Sequence, residues 1–226
     1  MRRNIFNAMI GLFVVLVFSL AGCGGGGGGS TTPIPTPAAT VFNMNKYTSL
    51  STGPVFSFNL SGTDTAGASY TGSMSMTVDG PVVFETINTI KKRTLLTLNK
   101  TGVGSVLNSV ATSYFRQSDS SLYKTVYNSG VTAVPTAYNA LPATITIGDF
   151  GAGSTLSYSN GATISGTWQV QDGGSGLAKL IIISNTNSAL SEQDSIFINA
   201  AGDVISAELK IYNFPSSGIT TTLTAS

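Results

Sequence analysis

The sequence predicts an all-β chain: an antiparallel up-and-down meander that closes into a barrel or half-barrel, or folds into a sandwich. Three observations lead there. From residue 41 onward apolar and polar residues alternate with a period of two, no stretch keeps a helical period across three turns, and turn-forming residues recur roughly every 8–12 positions. Only 9% of the 226 residues are charged, against about 25% in ordinary soluble domains, so Ser, Thr, Asn and Gly carry most of the solvation.

The chain begins differently. Arg2 and Arg3 give a positive start, and residues 8–18 form an apolar run interrupted only by Gly11. As a helix that run is about 16 Å long, well short of the ~30 Å hydrocarbon core of a bilayer, so it reads as the apolar region of an export signal. Leu20-Ala21-Gly22-Cys23 follows, and Cys23 is the only cysteine in the chain.

This order of features resembles the signal and lipobox of bacterial lipoproteins. The resemblance implies cleavage after Gly22, diacylglycerol on the Cys23 sulfur and acylation (palmitate or a similar chain) of the new amino terminus. It therefore makes the membrane a partner through the lipid on Cys23. Each buried CH₂ adds about 0.8 kcal/mol and more than one chain is needed for stable anchoring, so a triacylated Cys23 holds permanently. Position 24 is Gly, not the Asp that marks inner-membrane retention in enteric bacteria, so the resemblance points to the outer membrane.

Residues 24–30 are six glycines and a serine, and 31–37 carry three prolines. Treated as a flexible coil, 24–40 reach roughly 20–25 Å, which stands a folded part clear of the headgroups. The expected organisation is a signal over 1–22, lipidated Cys23 and tether over 23–40, and a β domain over 41–226, with 128–142 (Pro135, Pro142) as the candidate boundary if that domain divides in two.

Within the β domain, Phe56, Phe58 and Leu60 alternate with Ser57 and Asn59; Met74, Met76 and Val78 alternate with Ser75 and Thr77; Trp168 and Val170 alternate with Thr167 and Gln169. Each such strand has one apolar and one hydroxyl-bearing face, whereas the continuous run 180–183 predicts a central strand covered on both sides. Asp79-Gly80-Pro81, Asn128-Ser129-Gly130, Asn160-Gly161, Asp172-Gly173-Gly174 and Ala201-Gly202-Asp203 supply the turns. About eleven to thirteen strands follow from that spacing. The run at 67–73 echoes the run at 161–167, an offset of 94 residues, and in each case the next strand leads to an aspartate, Asp79 or Asp172.

Several chemistries are excluded. With no histidine and a single cysteine, neither a Ser-His-Asp or Cys-His nucleophile nor a zinc or copper site can be built, and no intrachain disulfide forms. Losing Arg2 and Arg3 with the signal leaves nine basic residues against ten acidic ones, which gives nucleic acid no electrostatic hold. Asp64, Asp79, Asp119, Asp149, Asp172 and Asp203 lie mostly in predicted turns, where Asp caps its own backbone, and no contiguous calcium-loop pattern is present. No cofactor, catalytic residue or metal ligand is expected, and Cys23 is the one residue with a named chemistry.

Four carboxylates, Glu85, Glu192, Asp194 and Glu208, lie in or beside strands, and two of them facing one cleft would suit a polysaccharide hydrolase. Lys91-Lys92-Arg93 reads as a basic run guarding a sheet edge or hairpin tip, or else as a patch for phosphate or anionic polysaccharide. Tyr114-Phe115, Tyr123 and Tyr127 flank a turn at 118–121 and read as a hairpin with aromatics on its faces. The hairpins, with Leu141-Pro142, Ile147-Gly148-Asp149-Phe150 and Gly166-Thr167-Trp168, resemble the meanders of uncharacterised β-rich envelope lipoproteins and are faintly similar to the half-barrels of lipoprotein carriers. The expected role is therefore non-enzymatic: an anchored domain that binds or structurally associates with an envelope protein, lipid or polysaccharide. The alternatives are a carrier of a hydrophobic ligand and a carboxylate-based hydrolase.

Overall fold

A computed structural model describes residues 39–225. The export segment, Cys23 and nearly all of the tether lie outside the described residues. Alternation builds long strands: β2 (Gly53–Asp64), β3 (Ser69–Phe84), β4 (Ile87–Lys100), β5 (Gly104–Arg116), β6 (Leu122–Tyr127) and β7 (Thr132–Ala137), then β9 (Phe150–Tyr158), β10 (Thr163–Gly174), β11 (Leu177–Thr186), β12 (Ala189–Ile198), β13 (Val204–Tyr212) and β14 (Thr220–Ala225). Each pairs antiparallel with its neighbour in sequence, β7 pairs with β9, and β14 returns to β2, so twelve strands close into a barrel. Of the forms the sequence allows, the chain adopts the closed one, which leaves no edge strand to protect.

The two faces of the wall divide by residue type. Leu60, Met76, Leu96, Leu98, Phe115, Leu180, Ile182, Ile196 and Leu223 point inward and belong to one buried cluster. Ser57, Asn59, Ser61 and Thr63 of β2 point outward into solvent. A lipid-spanning barrel carries its apolar band on the outside; β2 has the reverse polarity, while Val83, Val134 and Ile205 leave exposed apolar side chains on β3, β7 and β13. Closure uses bulges in most strand pairs, among them Val78/Gly80, Leu98/Asn99 and Asp172/Gly174. It also uses Gly62 and Gly72, where an added Cβ would lie 1.9 Å from the carbonyl oxygens of Thr222 and Thr97.

One end of the barrel is stoppered by the chain that leads into it. β1 (Val41–Asn43) pairs with β8 (Thr144–Thr146) as a separate two-stranded sheet, and a single turn of helix, α1 (Asn45–Thr48), follows β1. The Met44 amide donates to the Ala143 carbonyl at 2.8 Å, the Asn43 amide to that of Ala200 at 3.4 Å, and Lys46 pairs with Asp203. Phe42, Met44 and Tyr47 join the barrel cluster with almost no exposed surface. The described chain starts at residue 39, just before β1 at this end.

Three sequence expectations are corrected. Asp79-Gly80-Pro81 is not a turn: β3 runs through it with a bulge, because Gly80 adopts φ 103° and the ladder resumes at Pro81. Lys91-Lys92-Arg93 guards neither an edge nor a tip but lies mid-strand in β4, where alternation sends Lys91 and Arg93 out to Asp79 and turns Lys92 inward. Asp172-Gly173-Gly174 is not the turn either: β10 runs through it with a bulge, and the turn falls at Ser175-Gly176.

The echo at 67–73 and 161–167 has a structural counterpart. β3 and β10 stand six places apart in the ring of twelve, halfway round. Both follow the same tight turn, with Gly67 N to Asp64 O and Asp64 N to Ala68 O matched by Gly161 N to Tyr158 O and Tyr158 N to Ala162 O, all 2.9 Å. Each reaches its aspartate at a bulge.

Candidate functional site: a buried acidic pair in the barrel

The inward face of β12 begins with two carboxylates. Ile196 and Ile198 face the core, and the same parity two and four residues earlier turns Asp194 and Glu192 inward, where each is 3% exposed. Register fixes their surroundings. Glu192 lies between Ser184 and Ile211, and Asp194 between Ile182 and Leu209. At the stoppered end, burial pushes the Tyr47 hydroxyl well above its ordinary range, and the charge of Asp194 adds to it. Across the barrel, Tyr127 and Tyr158 join hydroxyl to hydroxyl at 2.9 Å, and both feel the charge of Glu192.

The carboxyl groups of Glu192 and Asp194 share this inward face and shift each other's titration, the effect of contact between two acids. Ionised carboxylates only accept hydrogen bonds, so that contact is favourable only with a proton or a cation between them. Burial is the main cause of their shifts: it raises Asp194 to about 7, with the neighbouring Glu192 pulling the other way, and it raises Glu192 well above the ordinary carboxylate range, with the Asp194 charge adding to it. Among the described residues seven buried side-chain oxygens have no hydrogen-bond partner, and six belong to Tyr47, Ser184, Thr186, Glu192 and Asp194. Unpaired buried groups are costly, and here they are gathered in one region.

Lys92 is also buried. Its Nζ lies 3.4 Å from the Tyr47 carbonyl oxygen, and burial lowers it to about 8. No carboxylate pairs with it among the described residues. No known family model, curated protein or solved structure matches the chain. What the barrel can do is therefore read from its own residues.

The other candidates disperse. Glu85 sits at the exposed β3–β4 turn, accepting from Lys124 Nζ at 2.6 Å and from the Tyr123 hydroxyl at 2.8 Å, and Glu208 points outward to Lys210. Of the four strand carboxylates, only Glu192 and Asp194 come together, and both are buried. Asp119, Asp149 and Asp172 accept backbone amides two or three residues away, and Asp64 accepts from Ala66, Ala68 and the Tyr70 hydroxyl. Asp203 accepts from Asn199 and Lys46. Asp79 departs from the turn pattern and instead holds Arg93 through two oxygens, at 2.7 and 2.9 Å. The predicted aromatic hairpin forms from β5 and β6, with Phe115 and Tyr127 inside and Tyr114 stacked outside on Phe84 at 3.6 Å. Tyr47, Tyr158, Ser184 and Thr186, and the burial of Lys92, are the parts of the set that sequence reasoning missed.

Proposed function

We propose that this chain is a lipid-anchored lipoprotein of the bacterial outer membrane, whose barrel has a non-catalytic binding or structural role. The observation that carries the reading is the run Leu20-Ala21-Gly22-Cys23 behind a short apolar signal, continued by a glycine and proline tether. The barrel fits that reading. Most of its buried apolar residues are turned inward into one cluster, that cluster includes Phe42, Met44 and Tyr47 from the segment the tether joins, and Glu192 and Asp194 are buried. A hydrophobic-ligand carrier has less support, since the sheet closes on itself and its inward side chains pack against one another.

Fractionation of cells expressing the wild type and Cys23→Ala, with radiolabelled palmitate in the medium, tests it. Wild-type protein is expected to be labelled and to band with the dense outer-membrane fraction, and the variant to be unlabelled and released. Label on the variant, or wild-type protein in the soluble fraction, overturns the reading.

A further inference from the structure

We propose that the barrel encloses a binding site for a hard divalent cation of the calcium type, held by the carboxylates of Glu192 and Asp194 with Ser184 Oγ, and flanked by the Tyr47 hydroxyl. This deepens the binding role proposed above, but it rests on the barrel alone and not on the anchor.

Register brings the donors together. Glu192 and Asp194 are two residues apart on one face of β12, and Ser184 is the direct cross-strand partner of Glu192 on the same inward face. Oxygens directly opposite on an antiparallel pair start from Cβ atoms about 4.5–5.5 Å apart, a span that one ion bridges. The second observation is independent of the acidic pair. The hydroxyls of Ser184 and Tyr47 are buried, make no hydrogen bond, and belong to residues beside the two carboxylates. A hydroxyl that only had to fill space there would be replaceable by an apolar side chain, whereas hydroxyl and carboxylate oxygens together form a donor set for a hard cation.

The donor types decide the class. No nitrogen or sulfur ligand is present, and no group of three or more His, Cys, Asp or Glu residues gathers anywhere among the described residues, so thiophilic and imidazole-seeking metals have no hold. Two carboxylates match a charge of two. Magnesium keeps its waters and demands a near-ideal octahedron, while calcium accepts an irregular, mixed oxygen shell, and so calcium fits this uneven set of carboxylate and hydroxyl oxygens better. With only two charged ligands the affinity falls in the weak range of extracellular sites, on the order of 10⁻⁴–10⁻³ M.

The full chain, purified in detergent and stripped with EDTA, tests this with calcium chloride as the probe. At a hundredfold excess over the dissociation constant, calcium is expected to shift the unfolding equilibrium about 100-fold toward the folded state, with magnesium far less effective. Terbium is expected to give luminescence excited through Tyr47. Glu192→Gln/Asp194→Asn keeps shape and removes charge, so it is expected to fold with the calcium shift and the terbium signal both lost. Ser184→Ala, the gentler variant, is expected to weaken calcium binding several-fold. Equal responses to calcium in wild type and the double variant, or no response of the wild type to calcium and terbium, overturn the proposal. Because no arm depends on membrane attachment, failure here leaves the anchor reading untouched, and the reverse.

Discussion

The buried pair makes the metal-free protein lose stability as pH rises through the mildly acidic range. A carboxyl raised in the folded state keeps its proton after the unfolded chain has released it, so between about pH 4 and 7 the folded state binds more protons and unfolding becomes easier with rising pH. For Asp194, raised from 3.8 to about 7, each tenfold change in proton affinity is about 1.4 kcal/mol. The stability withdrawn over that interval is on the order of 4 kcal/mol. With a urea slope of about 2 kcal/mol per molar, the midpoint falls by about 2 M.

The groups facing the pair do not mask this. Tyr47, Tyr127 and Tyr158 are all pushed upward by burial and stay neutral. Lys92, lowered to about 8, keeps its proton below that pH. Above it the folded state releases the Lys92 proton before the unfolded chain does, and stability returns toward pH 10.5. The outward acids are shifted the other way: Asp79 is lowered although burial, its largest single influence, raises it, because the hydrogen bonds and charges of Arg93 and Lys91 together outweigh that, and Asp119 and Asp203 are lowered chiefly by hydrogen bonds from Ser121 and from Lys46 and Asn199. The chain has no histidine to titrate within that pH interval. Urea unfolding in EDTA, followed through the single tryptophan, Trp168, reads the effect. Glu192→Gln/Asp194→Asn is expected to flatten the profile and to exceed the wild type at pH 7.5. A wild-type midpoint that is level or rising from pH 4 to 7, or an unchanged slope in the double variant, refutes the assignment of the pair as buried and raised.

Four further outcomes follow from the wall and the barrel interior. Gly72→Ala places a Cβ 1.9 Å from the Thr97 carbonyl oxygen and forces β3 off β4, for a loss of roughly 3 kcal/mol as ladder hydrogen bonds of about 1 kcal/mol each are given up. Gly102→Ala, at φ 77° with open space around it, loses about 1 kcal/mol by the same urea assay. Lys92→Met removes a buried charge whose one hydrogen bond is to a carbonyl at 3.4 Å, and is expected to raise stability at pH 7 by about 1–4 kcal/mol. Asp79→Asn breaks a largely solvent-facing pairing with Arg93 and Lys91 and is expected to change thermal stability by less than about 1 kcal/mol, with the difference vanishing in high salt.

Most of the wall was legible because period-two alternation sorts residues to two faces without needing to know their partners. Met74, Met76 and Val78 declare one side and Ser75 and Thr77 the other. Closure was not legible, since it depends on β7 meeting β9 and β14 meeting β2, contacts that local pattern does not contain. The Asp79-Gly80-Pro81 turn was misread for a related reason: a positive-φ glycine serves a bulge as well as a hairpin, and only the partner strand decides between them. The buried pair was within reach of the sequence. Counting back by twos from Ile198 and Ile196 puts Asp194 and Glu192 on the core face, and counting back from Leu98 and Leu96 does the same for Lys92. Charge argued against burial and prevailed in the reading, whereas in the fold parity prevailed. Tyr47 carried no such signal, because its position depends on a one-turn helix and on β1 pairing with β8.

The anchor is tested most directly by the intact mass and amino-terminal sequence of the mature protein purified from membranes in detergent. The account predicts a chain that begins at Cys23 and carries the added mass of a diacylglyceryl group with an amide-linked acyl chain. A mature chain that begins elsewhere, or that presents Cys23 as a free thiol, contradicts it.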